Sequence, residues 1–67
     1  MQVMYFPTTD GSHKTLAGRY HATADGAIAE VEAKNTKAES MGLKTRYEVA
    51  SQELDETDKA VKSNLAK

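Results

Sequence analysis

The chain has no cysteine and no tryptophan, and it has a single proline and a single phenylalanine. Without cysteine there is no disulfide, no thiol nucleophile and no thiolate zinc site. The four glycines, at positions 11, 18, 26 and 42, are scattered, so no Gly-rich loop can cradle a phosphate. Ser12, Ser40, Ser51 and Ser63 lack the flanking glycines of a nucleophile elbow. Charge of one sign is missing too. Nine basic against ten acidic residues leave a net charge of −1, and no global field draws DNA or an anionic membrane. No apolar run approaches the roughly 20 residues that span a bilayer, and the start lacks a signal-peptide pattern. A cytoplasmic protein without a membrane partner is the expectation.

Two histidines are too few for a His-rich metal site, although each lies near an aspartate, His13 by Asp10 and His21 by Asp25. A polar loop and a strand end account for both pairs. The expectation is no enzyme, no cofactor and no metal.

What is present reads as one small domain over residues 1–67. A chain this short buries only about 60% of the surface its unfolded form exposes, which leaves roughly 3–10 kcal/mol of stability. With no disulfide to help, self-association or a larger partner is the expected support.

Gln2-Val3-Met4-Tyr5-Phe6 is apolar on both faces, as in a central strand covered from both sides or one with an apolar patch left for a partner. Pro7 is expected to end its pairing. Asp10-Gly11 signals a hairpin turn, and Leu16, Gly18 and Tyr20 alternate with Ala17, Arg19 and His21 in a second strand, where Gly18 permits a bulge. Thr23 is a good N-cap, with Asp25 and Glu30 placed to suit the helix dipole. Ala24, Ala27, Ile28, Val31, Ala38 and Met41 form an apolar stripe, interrupted at Lys34 and Asn35. Gly26 weakens the first turn by about 1 kcal/mol, so this helix needs tertiary packing. Gly42 then stops it, with Leu43 as the following hydrophobic contact.

After Gly42 the period changes to two, with Leu43, Thr45, Tyr47 and Val49 on one face. A competing pattern, Leu43, Tyr47, Ala50, Leu54, Val61 and Leu65, fits a helix with a Thr45/Glu48 capping box. The expected fold is therefore α+β, ordered ββαβ, with strands at about 2–6, 14–22 and 43–50 and helices at about 24–41 and 52–66. The sheet is three-stranded, antiparallel and ordered 2-1-3, with one helix packed on it and a second at the C-terminus. The alternative is an N-terminal β-hairpin followed by an antiparallel helical hairpin. The expected core comprises Leu16, Tyr20, Ile28, Val31, Leu43, Tyr47 and Val49, and either Val3/Tyr5 or Met4/Phe6 joins it. In outline, Tyr5-Phe6-Pro7, the hairpin and the Ala-rich helix are faintly similar to the small partial-RNase-H-like antitoxins. That similarity covers about half the chain and carries no residue role across.

Two surfaces stand out. Arg19, His21, Lys44 and Arg46, with Phe6 beside them, would share the outer sheet face, a basic surface with one aromatic. Glu53, Asp55, Glu56 and Asp58 crowd the start of the second expected helix and could imitate phosphates to a basic partner. The expected function is a non-enzymatic protein-interaction module, a regulator or inhibitor docking on a larger protein or nucleoprotein complex. A nucleic-acid-binding domain using the basic sheet face is the alternative. Chains of this size are frequent among phage and mobile-element accessory proteins, and homo-oligomerisation is open.

Overall fold

The organising element is β1 (Gln2–Thr9), which runs antiparallel to β2 (Tyr47–Leu54), with Gln2 opposite Leu54 and Thr9 opposite Tyr47. Between them α1 (Ala24–Ser40) forms the crossover, and the single turn α2 (Lys59–Ser63) follows β2. The computed structural model describes residues 2–9, 15–55 and 57–66. The Asp10-Gly11 turn, His13, Lys14 and Glu56 lie outside the described residues. The fold is a small α+β arrangement of an antiparallel sheet and helices. Among the described residues the sheet has two strands, not the expected three.

Pro7 is the physical reason for the missing strand. Contrary to expectation it does not end β1, because it sits opposite Val49 with its nitrogen turned away from β2. On that outer side Tyr5 exchanges two hydrogen bonds with His21, at 2.9 and 2.7 Å. A continued ladder would next pair Pro7 with Arg19, but Pro7 has no N–H to donate. The Pro7 carbonyl instead accepts from Ala17 N–H, two residues out of step, at 2.9 Å. Arg19 N–H turns to the Glu30 carboxylate at 3.1 Å. Residues 15–21 therefore flank β1 through one isolated bridge, with Gly18 at the irregularity.

β1 is fully buried along one face from Met4 to Thr8 and only partly covered along the other. Met4, Phe6 and Thr8 alternate with Val3, Tyr5 and Pro7. Met4, Phe6 and Thr8 are at most 2% exposed and Pro7 is also buried, whereas Val3 is 47% exposed. Met4/Phe6 is thus the pair that joins the core. Phe6 meets Tyr20 edge-on, with ring centroids 5.4 Å apart, a favoured aromatic geometry. The core is thin, because among the described residues Ala27, Ala38 and Ala50 are three of the seven buried apolar residues other than Pro7. Of the expected core, Val31 is buried and Leu16, Tyr20, Tyr47 and Val49 are half-buried, while Ile28 and Leu43 are exposed.

The helix termini match their sequence signals. The Thr23 hydroxyl accepts from Gly26 N–H at 3.3 Å. At the other end Gly42 has φ +72°, a left-handed conformation that side chains resist. Gly42 N–H donates to Glu39 O and Leu43 N–H to Ala38 O, so two of the last carbonyls are satisfied.

Gly42 therefore turns a helix into a sheet, and the helical-hairpin alternative is not what forms. The strand is nonetheless displaced from 43–50, because residues 43–46 run past the Thr9 end of β1 and pairing begins at Tyr47. At the far end Gln2 to Tyr5 recruit Ser51 to Leu54 into the ladder, residues that carry a helical pattern. The second helix shrinks accordingly from 52–66 to one turn, capped by the Asp58 side chain on Ala60 N–H at 2.8 Å. Val61 anchors it in the core. Beyond it, Tyr20 donates to Asn64 O and accepts from Ala66 N–H, both at 2.8 Å, so the tail is pinned.

Candidate functional site

The expected basic face divides. Residues 17–21 flank one edge of β1 while β2, and the 43–46 loop leading into it, lies along the other. That placement is the expected 2-1-3 order, but Lys44 and Arg46 precede Tyr47, where pairing with β1 begins, and so lie outside the sheet. Phe6 is in the core at 1% exposure, not on an open face. His21 points toward α1, where its Nε2 lies 2.7 Å from Glu30 Oε1. Lys44 and Arg46 are exposed on the loop after Gly42.

That loop forms one wall of a groove of about 220 Å³ lined by Lys34, Lys37, Ala38, Met41, Leu43 and Tyr47. Its position follows from local structure. The Gly42 turn reverses the chain, so the last two turns of α1 and the approach to β2 face each other across it. Met41 and Leu43 are 62% and 52% exposed, leaving apolar surface at the mouth. Cations surround it, with Lys34 Nζ 5.7 Å from the Tyr47 ring centroid, within cation–π range. From Lys34 to Tyr47 the chain carries four basic residues and one acidic residue, Glu39. Lys34 and Lys37 line the groove, and Lys44 and Arg46 stand on the exposed loop that leads from Leu43 into β2.

Two residues that hold this geometry lie outside the expected sites. Asn35, which appears in sequence as a break in the apolar stripe, uses its amide like a short peptide. Its Oδ1 accepts from Tyr47 N–H at 2.7 Å and its Nδ2 donates to Tyr47 O at 3.1 Å. A polar residue at the centre of an otherwise apolar stripe is the available sequence signal. Glu30 is the second. It is half-buried and gathers Arg19 N–H, His21 and, at 4.0 Å, Lys34. Gly18 makes this possible. A Cβ there would stand 2.6 Å from Glu30 Oε2 and 2.8 Å from Pro7 Cγ, closer than a side chain can sit.

Burial raises the Glu30 carboxyl, but hydrogen bonds from His21 and Arg19 N–H and the charges of His21 and Lys34 outweigh it. The net shift is below the ordinary 4.5. The folded chain holds this proton less readily than the unfolded one. Its stabilisation is therefore complete above about 4.5 and is lost as pH falls through the lower folded value. Urea midpoints are expected to decline on acidification below that point. Glu30→Gln should show a lower midpoint at neutral pH and a shallower acid decline.

The acidic residues do not form a helix start. Glu53 is exposed near the end of β2, Asp58 caps α2, and Glu56 lies outside the described residues. Asp55 accepts from Thr57 N–H and the Thr57 hydroxyl at 2.9 and 2.7 Å. These bonds hold its carboxyl below its ordinary value. Among the described residues no three His, Cys, Asp or Glu side chains converge to hold a metal ion. Nor is any helix among them long and apolar enough to cross a membrane.

Fold and groove define a small α+β protein with an open groove of mixed lining, lysines beside exposed Met41 and Leu43. No family model, curated protein or solved structure matches the chain.

Proposed function

We propose that the chain is a non-enzymatic protein-interaction module, a small regulator or inhibitor that docks on a larger partner through the α1–β2 groove. The observation that carries this reading is the pairing of exposed Met41 and Leu43 with lysines around one groove. The partner segment is one with an apolar anchor flanked by carboxylates, since the rim is basic. At about 220 Å³ the groove is smaller than the ~300 Å³ typical of small-molecule sites and suits a side-chain anchor better than a substrate.

A phage or mobile-element accessory protein remains the association that the chain's length suggests. Nucleic-acid binding has less to stand on, because Phe6 is buried and His21 is held by Glu30.

The test is Met41→Glu/Leu43→Glu. Both side chains are mostly exposed, so stability should change by less than about 1 kcal/mol. Affinity for a stoichiometric partner captured by the wild type should fall roughly tenfold or more. A partner retained equally by the double variant, or no stoichiometric partner at all, overturns the reading.

A further inference from the structure

The outer edge of β2 carries a second surface, which adjoins the groove at the 43–46 loop. Alternation in an antiparallel pair turns the backbone groups of Tyr47, Val49, Ser51 and Glu53 away from β1. Those of Tyr47 are taken by Asn35. Those of Val49, Ser51 and Glu53 have no hydrogen-bond partner among the described residues. Ser51 and Glu53 are exposed and Val49 is half-buried. An unpaired edge of this kind is a template for another strand; between Tyr47 and Leu54 it holds no lysine or proline, and its charges are the exposed Glu48 and Glu53.

We infer that the occupant is a second copy of this chain, joined antiparallel through β2 about a two-fold axis at Ser51. This register uses every open residue and no blocked one, with Ser51 opposite Ser51 and Val49 opposite Glu53 in both directions. A shift toward Tyr47 would meet the amide already held by Asn35. The same register sets Glu48 opposite Leu54 and Ala50 opposite Gln52, so no like charges face each other.

Charge along the chain supports the same occupant. The stretch entering β2 contains Lys44 and Arg46, and the turn leaving it contains Asp55 and Asp58. Antiparallel pairing brings the acidic turn of each copy beside the basic loop of the other. Opposite charges at both ends and open hydrogen-bonding groups between them make the edge complementary to itself. The joined sheet has four strands, ordered β1-β2-β2-β1, with a closed, isologous interface.

Sedimentation of the wild-type chain should give twice the 7.3 kDa monomer mass at high concentration. Salt should weaken the association. Ser51→Pro removes the outward N–H without touching the bonds to β1, as Pro7 already does in β1, and so deletes both central hydrogen bonds of the dimer. Association should weaken roughly ten- to a hundredfold, while Ser51→Ala leaves it unchanged. In wild-type hydrogen exchange, the amides of Val49, Ser51 and Glu53 should gain protection with concentration. The amides of Glu48, Ala50 and Gln52 should be protected throughout. Should Ser51→Pro fail to fold, this exchange pattern decides. A wild type that stays monomeric, or a folded Ser51→Pro that associates normally, overturns the inference. So does protection of the three amides by a different protein alone.

Discussion

Phe6→Ala is expected to leave the chain largely unfolded at room temperature. Phe6 is 1% exposed, stands edge-on to Tyr20 and occupies the centre of β1 opposite Ala50. Truncating a fully buried phenylalanine costs about 3–5 kcal/mol. A chain of this length has roughly 3–10 kcal/mol in total. The upper part of the cost range is expected, because a core rich in alanine has few large side chains able to collapse into the cavity. Far-ultraviolet circular dichroism with urea titration reads the result directly. A loss below about 1 kcal/mol would mean that Phe6 is not the centre of the core.

The second large effect is expected at Asn35. Replacing it with Ala strips Tyr47 N–H and C=O of their partners at a half-buried position, at a cost of about 1–3 kcal/mol for each group not recovered by water. Asn35→Asp separates the two bonds. The carboxylate still accepts from Tyr47 N–H but cannot donate to Tyr47 O, and it sets one oxygen against another. Both variants should lower the urea midpoint, and Asn35→Asp should recover part of its loss at acidic pH as the carboxyl protonates. Both should also loosen the groove, since Asn35 fastens α1 to the start of β2. Hydrogen exchange at Tyr47 is the sensitive probe. An unchanged Tyr47 exchange rate in Asn35→Ala would show that the amide bridge contributes nothing.

These two residues mark the boundary of what could be read beforehand. Phe6 belongs to a run with apolar residues on both faces, and that run is a strand buried on its Met4/Phe6 side with Val3 left exposed on the other. Asn35 appears in the sequence as a defect in a helix stripe. Its role exists only once α1 crosses the sheet and sets it against the edge of β2. Glu30 is similar, since a carboxylate near a helix start suits the dipole whether or not it also receives Arg19 N–H and His21. The expected basic face fails because the core takes Phe6 and Glu30 takes His21, outcomes of packing that residue spacing does not express. Lys44 and Arg46 stand on the loop beside the groove that Lys34 and Lys37 line because Gly42 folds the chain back.

Local chemistry therefore determined the elements whose signals are local. Thr23 starts α1 through one hydroxyl, Gly42 ends it through one backbone conformation, and the apolar β1 run makes a buried strand. Tertiary structure decided everything that depends on competition for partners. Residues 51–54 have helical spacing, yet they pair with Gln2 to Tyr5 because ladder bonds and burial of Ala50 outweigh a weak helix propensity. Residues 15–21 alternate like a strand, yet they stop after one bridge because their neighbour is Pro7 and Glu30 takes the amide of Arg19. The pattern in a segment states what it can do. Which possibility it takes is set by the hydrogen-bonding groups that the rest of the chain leaves open beside it.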